Sequence, residues 1–600
     1  MIRFLIAAAL LPQAEVDFDV FEKTIPELQD AMESGRVTSV EITRQYLERI
    51  EAFDRKPPAL NAMIHLNPNA IEQAEALDRE RAERGSRGPL HGIPVILKDN
   101  YDTFDMPTTV SSASLAGFVP PDDGFQVWKL REAGAVFIGK SNMHEFARGI
   151  TTISSLGGQT LNPYDPIRNP GGSSGGTGAA IAASFAAVGM GSDTCGSIRI
   201  PAANGNLFGL RVTQGLSSRD GIIPLSHTQD VGGPIARSVI DLALVLDATV
   251  GPDEADPQTA SGGARRPPSY TTFLREGALD GVRLGILRSM FDEKEVTDVV
   301  LEAVEVMKAE GAEAVDVEVP DLSQLLESSG VIDMEFKQDF EAYLRASGAP
   351  VQTLAEILGR GLYHDALESP LRRSVEKDPD PDEYGVTLAK RDVLRDALLK
   401  VIADNRLDAI VYPTLRRRLA VVGDPQSGSA CQVAAHSGLP AFSLPAGLTE
   451  DGVPVGIELL GKPFSEPDLI AMAFDYERAA RPRVPPQRTP SLKSGPLSRA
   501  FTLEASQNGI TAHATFLLDH PSQTLDNRID LEGVLPGDVT SIRLHRGENG
   551  PIVARLEDGP RGSLLVRNRD LGALLAGEWY LAVATTAHPL GALVAPIQPK

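Results

Sequence analysis

A glycine- and serine-rich segment that runs directly into an apolar stretch of small residues constrains this 600-residue chain more than any other feature. Residues 171–178 read GGSSGGTG, and residues 179–188 read AAIAASFAAV. A flexible linker is not expected before such an apolar stretch, which is typical of a buried helix. Glycines ahead of a buried helix let the backbone approach its neighbours closely. We therefore expect residues 171–188 to lie in the interior of the fold.

A polar segment follows at residues 189–201, which read GMGSDTCGSIRIP. It predicts a tight turn in which successive main-chain amides converge, as an oxyanion hole requires. The helix N-terminus that follows the glycine–serine run is also suited to a developing negative charge. The alternative interpretation of residues 189–201 is an ordinary surface turn.

Helix and strand patterns alternate over the first part of the chain. The sequence TSVE at residues 38–41 is a capping box that begins an amphipathic helix, and residues 70–84 predict a second helix. Residues 92–98 read GIPVILK, a short apolar run typical of a buried strand that ends at Lys98. Residues 127–138 predict another helix followed by a strand. This alternation predicts an α/β fold, with a large mixed β-sheet core covered by helices.

The composition changes twice further along the chain. Residues 265–418 are richer in charge and in helix formers, and we expect them to cover the sheet rather than to build it. Residues 481–498 are rich in proline and arginine and predict an extended linker. Short β-type runs fill residues 499–600 and predict a small all-β sandwich. The main domain is expected at residues 15–480.

The net charge, the cysteine content and the N-terminal segment limit which classes of function are expected. The net charge of −24 disfavours binding to nucleic acid and to anionic membrane surfaces. With only two cysteines, Cys195 and Cys431, the fold cannot rest on a disulfide framework, and no cysteine–histidine cluster has zinc spacing. Residues 1–14 resemble a short secretory signal, which predicts a periplasmic or secreted protein; an ordinary buried segment there predicts a cytoplasmic one. No run of about 18 apolar residues predicts an integral membrane span.

Two segments fit well-known motifs without having the structural context that those motifs need. Residues 134–141 fit the P-loop formula, but their variable positions form an apolar strand rather than an exposed phosphate-binding loop. Residues 171–175 contain GxSxG, but the proline-containing segment before them is not the strand of a nucleophile elbow. We therefore expect neither nucleotide binding nor an elbow serine.

Three segments together resemble the signature of a known enzyme family. They are residues 96–100 (ILKDN), the glycine–serine run at residues 171–176, and residues 192–199 (SDTCGSIR). Their order and spacing are similar to those of the amidase signature family, over about residues 20–480. Three further segments match: residues 89–94, 139–146 and 452–456. The resemblance implies hydrolysis of a carboxylic-acid or peptide-terminal amide C–N bond through a serine acyl-enzyme, with release of ammonia or an amine.

The resemblance also implies a catalytic triad. Ser197 is expected to be the nucleophile, Ser173 to relay a proton beside a cis peptide bond, and Lys98 to be the base. A lysine acts as a base only when it is uncharged, and burial beside an apolar strand lowers the pKa of an amine. Asp193 and Arg199 are expected to brace the turn through hydrogen bonds rather than to contact the substrate.

Further residues around the nucleophile are assigned by the same resemblance. The oxyanion is expected to be bound by four main-chain amides, those of Thr194, Cys195, Gly196 and Ser197. The family commonly has glycine where Cys195 stands, so its side chain either narrows the pocket or packs. Substrate contacts are expected at two residues, Met143 and Gly172, although simple packing explains Met143 equally well.

The C-terminal part resembles the CHRD domain, a β module found in chordin and in bacterial secreted proteins. The resemblance rests on residues 542–547, 550–553 and 577–580. That family usually has His-x-His where residues 543–545 read RLH, which leaves a ligand role there unsupported. A module of this kind favours export.

The resulting hypothesis is a periplasmic or secreted amidase that needs no cofactor or metal and acts on a small-molecule or peptide amide. One alternative is the glutaminase subunit of a tRNA-dependent amidotransferase, which shares the signature. The acidic charge, the predicted leader and the β module argue against it. The other alternative is a binding protein that has lost catalysis, against which the intact Lys98, Ser173 and Ser197 argue.

Overall fold

The structure is a computed structural model that describes residues 18–263, 265–376, 378–548, 550–556, 559–589 and 591–600. The predicted signal segment, residues 1–14, lies outside the described residues. The helices are α1 (Ile25–Glu33), α2 (Ser39–Phe53), α3 (Ala70–Arg84), α4 (Phe125–Glu132), α5 (Gly175–Ala182), α6 (Arg199–Asn204), α7 (Val239–Thr249), α8 (Thr259–Gly263), α9 (Lys294–Ala309), α10 (Leu322–Glu327), α11 (Ile332–Ser347), α12 (Leu354–Arg360), α13 (Glu368–Glu376), α14 (Pro381–Asp404), α15 (Gln432–Ser437), α16 (Glu466–Ala480) and α17 (Asn568–Leu575).

The strands belong to three sheets. They are β1 (Met63–Leu66), β2 (Pro94–Lys98), β3 (Val136–Ser141), β4 (Val188–Asp193), β5 (Phe208–Arg211), β6 (Val231–Ala236), β7 (Arg283–Leu287), β8 (Glu313–Val317), β9 (Ala409–Pro413), β10 (Ala441–Leu448), β11 (Pro454–Leu460), β12 (Ser498–Gln507), β13 (Ile510–Asp519), β14 (Thr524–Glu532), β15 (Val539–Arg546), β16 (Ile552–Arg555), β17 (Arg561–Leu565), β18 (Trp579–Thr585), β19 (Leu593–Pro596) and β20 (Gln598–Pro599).

An eleven-stranded mixed sheet forms the core of the larger part of the molecule. Its strand order is β1-β3-β2-β4-β6-β5-β10-β11-β9-β7-β8. Strand β2 lies between β3 and β4 and runs parallel to both. Helices pack against the sheet, among them α5 on β4 and α9 on β10. The predicted large mixed sheet covered by helices is therefore confirmed.

Several local predictions are confirmed by the described elements. The Thr38 side chain accepts from the Glu41 amide in a capping box at the start of α2, and α3 covers residues 70–84 as expected. Strand β2 is fully buried and ends at Lys98. The P-loop-like segment contains the buried strand β3 rather than an exposed loop.

Among the described residues, no helix is both long and apolar enough to cross a membrane.

The prediction that residues 265–418 only cover the sheet is wrong. They contribute three strands, β7, β8 and β9, at one edge of the eleven-stranded sheet. Strands β7 and β8 are parallel and are connected through α9, which is a βαβ unit. Each of these strands has only five residues, so their apolar runs are short and are flanked by charged residues.

The buried helix after the glycine–serine run begins earlier and ends earlier than predicted. Helix α5 covers Gly175–Ala182 instead of residues 179–188, and Val188 already belongs to β4. A Cβ atom on Gly176 would lie 2.1 Å from the Asn142 carbonyl oxygen, so only glycine fits this close approach. Packing therefore outweighs the low helix propensity of glycine. The predicted polar turn shrinks to residues 194–198, between β4 and α6.

The C-terminal region is a β-sandwich-like unit with its own core, as predicted. Its two antiparallel sheets have the strand orders β17-β14-β13-β12-β20 and β16-β15-β18-β19. Buried and more exposed residues alternate along β13, and Trp579 is fully buried between neighbouring apolar side chains. The segment between α16 and β12 packs on the larger region, since Arg483 pairs with Glu22 at 2.9 Å.

Candidate active site

The carboxyl ends of β2 and β4 bring a lysine beside two serines. Lys98 is the last residue of β2 and is fully buried. Its Nζ donates to Ser173 Oγ at 2.7 Å and to Ser192 Oγ at 2.8 Å. Asn100 Nδ2 donates to the same Ser192 hydroxyl at 3.0 Å. Ser192 and Asn100 were not predicted as site residues, although the parallel pairing of β2 with β4 places Ser192 near the end of β2.

The electrostatic surroundings of Lys98 favour the neutral amine. Burial lowers the pKa of Lys98 to about 7, and the more distant carboxylates of Asp230 and Asp193 raise it only in part. At neutral pH a large share of the Lys98 side chain is therefore uncharged. A neutral amine beside a hydroxyl is able to accept its proton.

Ser173 contacts Lys98, and the main chain next to it contacts the segment that carries Ser197. The Gly172–Ser173 peptide bond is cis, which confirms the cis bond implied by the resemblance. The Ser173 carbonyl accepts from the His144 amide at 3.0 Å, and the next amide, that of Ser174, donates to the Ser197 carbonyl at 3.3 Å. These main-chain contacts hold the two serine-bearing segments together.

Asp193 supports the turn at residues 194–198, which we call the signature turn. Its carboxylate accepts from the amides of Gly196 at 2.8 Å and Ile198 at 3.2 Å. Arg199 and Arg211 donate to the same carboxylate. Burial alone raises the pKa of Asp193, but the two guanidinium groups outweigh burial and hold the pKa well below its usual range. The predicted bracing role of Asp193 and Arg199 is confirmed.

One of the predicted oxyanion donors already donates a hydrogen bond within the protein. The Gly196 amide donates to Asp193 and is therefore not free for an oxyanion in this structure, so its predicted role there has no support. Within the described part of the chain, the amides of Thr194, Cys195 and Ser197 donate to no protein acceptor. These three residues, unlike Gly196, line one cavity.

The cavity in front of the signature turn has a volume of about 390 Å³. Ile150 and Leu225 contribute apolar surface to its wall. Its charged lining side chains are Arg148 and Arg373, the first on the segment after β3 and the second on α13. Ser197 also lines this cavity, so it is within reach of a small ligand although its exposed fraction is only 3%.

Cys195 forms a disulfide bond with Cys431, which the sequence analysis did not predict. The two residues are 236 positions apart, so no local sequence pattern links them. Cys431 immediately precedes α15, and both cysteines line the cavity beside Ser197. The side chain that replaces the family's usual glycine therefore neither projects freely into the cavity nor simply packs.

The two predicted substrate-contacting residues do not line this cavity. Met143 is fully buried in an apolar cluster with Phe146 and Phe336. Gly172 is also buried, and a Cβ atom there would lie 2.9 Å from both the Ile150 carbonyl carbon and the Thr152 hydroxyl. Neither residue lines the cavity beside Ser197, so direct substrate contact by Met143 and Gly172 stays a prediction.

One described group has ligand atoms close enough to hold a metal ion, although no histidine in the sequence has metal-ligand spacing. It consists of His227, Glu335 and Asp339. The Glu335 carboxylate accepts from the hydroxyls of Ser226 and Tyr384, and His227 Nδ1 lies 2.9 Å from Asp339. Hydrogen bonds and an ion pair thus explain why these side chains lie together without a metal ion. They connect the loop before β6 to α11 and α14.

The comparisons with known proteins agree with this geometry. The sequence model of the Amidase family matches residues 41–470, and that of the CHRD domain matches residues 494–594. The chain is 32% identical to a glutamyl-tRNA(Gln) amidotransferase subunit of Thermoanaerobacter pseudethanolicus, over 78% of this chain and 99% of that protein. It is 34% identical to an Arabidopsis thaliana protein named "Probable amidase", over 78% of this chain and 92% of that protein.

A solved structure shares both the fold and a substantial part of the sequence. The native peptide amidase from Stenotrophomonas maltophilia superposes with a TM-score of 0.74 and is 38% identical, over 78% of this chain and 98% of that chain. The region beyond the shared part carries the β-sandwich described above. The chain therefore belongs to the amidase signature family of amide-hydrolysing enzymes and carries a CHRD domain near its C-terminal end.

Proposed function

We propose that this protein hydrolyses a linear or peptide-terminal carboxamide through an acyl-enzyme on Ser197, with Ser173 as proton relay and Lys98 as base. The single observation that carries the proposal is the buried Lys98 Nζ, 2.7 Å from Ser173 Oγ beside the segment that bears Ser197. A pKa of about 7 gives Lys98 the neutral form that a base needs at physiological pH.

The proposed reaction begins with proton transfer. Neutral Lys98 accepts the hydroxyl proton of Ser173. Ser173 in turn accepts the hydroxyl proton of Ser197, and the Ser197 oxygen attacks the amide carbonyl. The tetrahedral oxyanion accepts hydrogen bonds from the amides of Thr194, Cys195 and Ser197. The proton returns through Ser173 to the leaving nitrogen, ammonia or an amine departs, and water then hydrolyses the ester. Serine–lysine catalysis of this type is a recognised variant of the serine–histidine triad.

The substrate class is supported by the cavity and by one structural relative. The cavity of about 390 Å³ admits a small acyl group or the end of a peptide rather than a folded chain. The relative with a TM-score of 0.74 is a peptide amidase. The test measures ammonia release from an N-acetylated dipeptide amide and from a simple aliphatic amide, and release of the free amino acid from the matching free-acid dipeptide. We expect turnover of the amides alone, and none in Ser197→Ala; turnover of the free acid would refute the terminal-amide assignment.

The runner-up is the glutaminase subunit of a tRNA-dependent amidotransferase, because the relative from Thermoanaerobacter pseudethanolicus is named as a component of such an enzyme. The C-terminal β module and the net charge of −24 argue against it. Co-purification with amidotransferase partner proteins would revive this alternative. Absence of turnover on a broad amide panel would instead favour a non-catalytic binding protein.

Export to the periplasm or outside the cell is the second part of the proposal. The CHRD match at residues 494–594 supports it, and so does the Cys195–Cys431 bond, because disulfides persist mainly in oxidising compartments. We assign residues 1–14 to a signal peptide, 15–480 to the catalytic domain, 481–498 to the linker and 499–600 to the β domain. Cell fractionation with N-terminal sequencing of the mature protein tests this assignment; an intact, cytoplasmic chain would refute it.

A further inference from the structure

Cys195 is the residue of the signature turn that main-chain hydrogen bonds leave unsupported. Its neighbours are held, since Thr194 Oγ1 donates to Asp230 and the Gly196 amide donates to Asp193. Cys195 itself neither donates nor accepts a main-chain hydrogen bond among the described residues. Cys195 also packs against an apolar cluster that includes Ile200, and apart from this packing its disulfide to Cys431 is its only link to another segment among the described residues.

Cys431, by contrast, is firmly anchored. Its amide donates to Ser429 Oγ at 3.2 Å. Its carbonyl accepts from Arg199 Nη2 at 3.2 Å and from the Ala435 amide at 3.1 Å. Arg199 is itself fully buried and paired with Asp193. The disulfide therefore ties the unsupported part of the turn to a fixed point of the fold.

The bridge lies directly beside the groups that the proposed mechanism uses. A Cβ atom on Gly196, whose φ is +86°, would lie 2.8 Å from Cys431 Cβ, so the turn and the start of α15 are in close contact. Both cysteines line the same cavity as Ser197. A shift of Cys195 would move its own amide, which is one of the three donors assigned to the oxyanion, while the flanking Thr194 and Gly196 stay held by Asp230 and Asp193.

We propose that the Cys195–Cys431 disulfide is a positioning element of the oxyanion hole, and that breaking it lowers kcat while leaving KM nearly unchanged. This inference rests on the proposed role of Ser197 as nucleophile. Oxyanion donors act mainly in the transition state, and misplacement of such groups by about 1 Å costs about 100-fold in rate. Reduction breaks the S–S bond: a phosphine donates two electrons and takes oxygen from water, and two protons end on the sulfurs.

The experiment compares the oxidised full-length protein with the same protein treated with a phosphine reductant. Alkylation and mass spectrometry quantify the free thiols, and kcat and KM are measured on an amide substrate. The rate of Ser197 labelling by a fluorophosphonate serves where no substrate is known. We expect kcat and the labelling rate to fall at least about tenfold, with KM within about twofold. Full activity with both thiols alkylated would overturn the proposal.

Two variants serve as controls for effects of the reductant elsewhere. Cys431→Ser and the double variant Cys195→Ala/Cys431→Ser should show the low kcat without treatment and no further response to the phosphine. A double variant with the kcat of the oxidised protein would overturn the proposal. If the oxidised protein itself turns over no amide and Ser197 is not labelled, the proposed function fails instead, which separates the two failures.

A second measurement does not depend on activity. Hydrogen exchange should become faster on reduction at residues 193–204 and 428–437 and stay unchanged in the remainder of the main sheet. This local loss of protection would support a positioning role. Uniform loss of protection across the main sheet, or no change in either segment, would contradict it.

Discussion

The eleven-stranded region and the C-terminal sandwich bury very different side chains. The first region encloses ionisable groups, including Lys98, Asp193 and Arg199, each with no measurable exposure. Among the described residues, the sandwich buries uncharged polar side chains such as Gln523 and Asn527 but no charged one. Along its strands buried and more exposed side chains alternate, as they do in β13.

This difference points to the eleven-stranded region as the part of the molecule that contains the reactive groups. Burying a charge is costly unless the charge is paired or the group becomes neutral. Arg199 and Asp193 are paired with each other, whereas Lys98 lies beside hydroxyls and reaches neutrality through its lowered pKa. Strongly perturbed ionisable groups that lie next to a cavity are typical of functional sites.

The largest expected effect separates two buried lysines of the same sheet. Lys98→Met removes the proposed base, and kcat/KM for amide hydrolysis should fall about 10²–10⁴-fold with the fold retained. Lys140 is the matched control: it is fully buried on β3, but its Nζ donates to the Tyr101 carbonyl and Thr108 Oγ1, each at 2.7 Å. Lys140→Met should alter stability far more than the pH dependence or the rate. Equal activity losses in both variants would contradict this distinction.

The next effect is the pH dependence of the reaction. Lys98 must be neutral to act as a base, and burial lowers its pKa to about 7. The amine loses its proton as the pH rises, so kcat/KM should increase about tenfold per unit below pH 7 and level off above about pH 8. A pH series with an uncharged amide substrate measures this. A rate that falls with rising pH across this window would exclude Lys98 as the base.

A substitution in the sandwich should affect stability without affecting chemistry. Trp579→Ala removes a fully buried aromatic side chain and should destabilise the C-terminal region by about 3–5 kcal/mol. Calorimetry should then detect a separate, earlier unfolding transition, with kcat within about twofold of the parent value. Trp128 is the other tryptophan and is 48% exposed, so Trp128→Ala is the matched control, with a change of about 0.5 kcal/mol or less. A large loss of kcat in Trp579→Ala would show that the two regions are coupled.

The smallest effect concerns a contact between the two regions. Asn568 Nδ2 donates to the Tyr164 carbonyl at 2.7 Å, which links α17 to the larger region. Asn568→Ala should lower the free energy of unfolding of the C-terminal region by about 0.5–1.5 kcal/mol. Denaturant unfolding of the C-terminal region, followed by tryptophan fluorescence in a Trp128→Phe background so that only Trp579 reports, measures this change. No shift of the midpoint would mean that this hydrogen bond contributes nothing to docking.

Local sequence patterns predicted the elements whose signals are continuous in the chain. The capping box of α2, the run that forms α3 and the apolar strand ending at Lys98 all lie within single segments. The predicted helix after the glycine–serine run was displaced because the contact of Gly176 with Asn142 is set by tertiary packing. The strands β7 to β9 were missed because each has only five residues, too few for periodicity to distinguish a buried strand from part of a helix.

The site was predictable to the extent that its residues are part of a family signature. Lys98, Ser173 and Ser197 were identified in this way, and the lysine and the two serine-bearing segments lie together as expected. The engagement of the Gly196 amide by Asp193 depends on the direction of a single N–H group, which no sequence pattern encodes. The same holds for the partner of Cys195, which lies 236 residues away.

The most direct test of the account is mass-spectrometric mapping of a fluorophosphonate probe on the purified protein, alongside Lys98→Ala and Ser197→Ala. We expect labelling at Ser197 in the parent protein, a strong decrease in Lys98→Ala, and no labelling at that site in Ser197→Ala. Labelling at Ser173 or at another serine, no labelling at all, or labelling of Ser197 that is independent of Lys98 would contradict it.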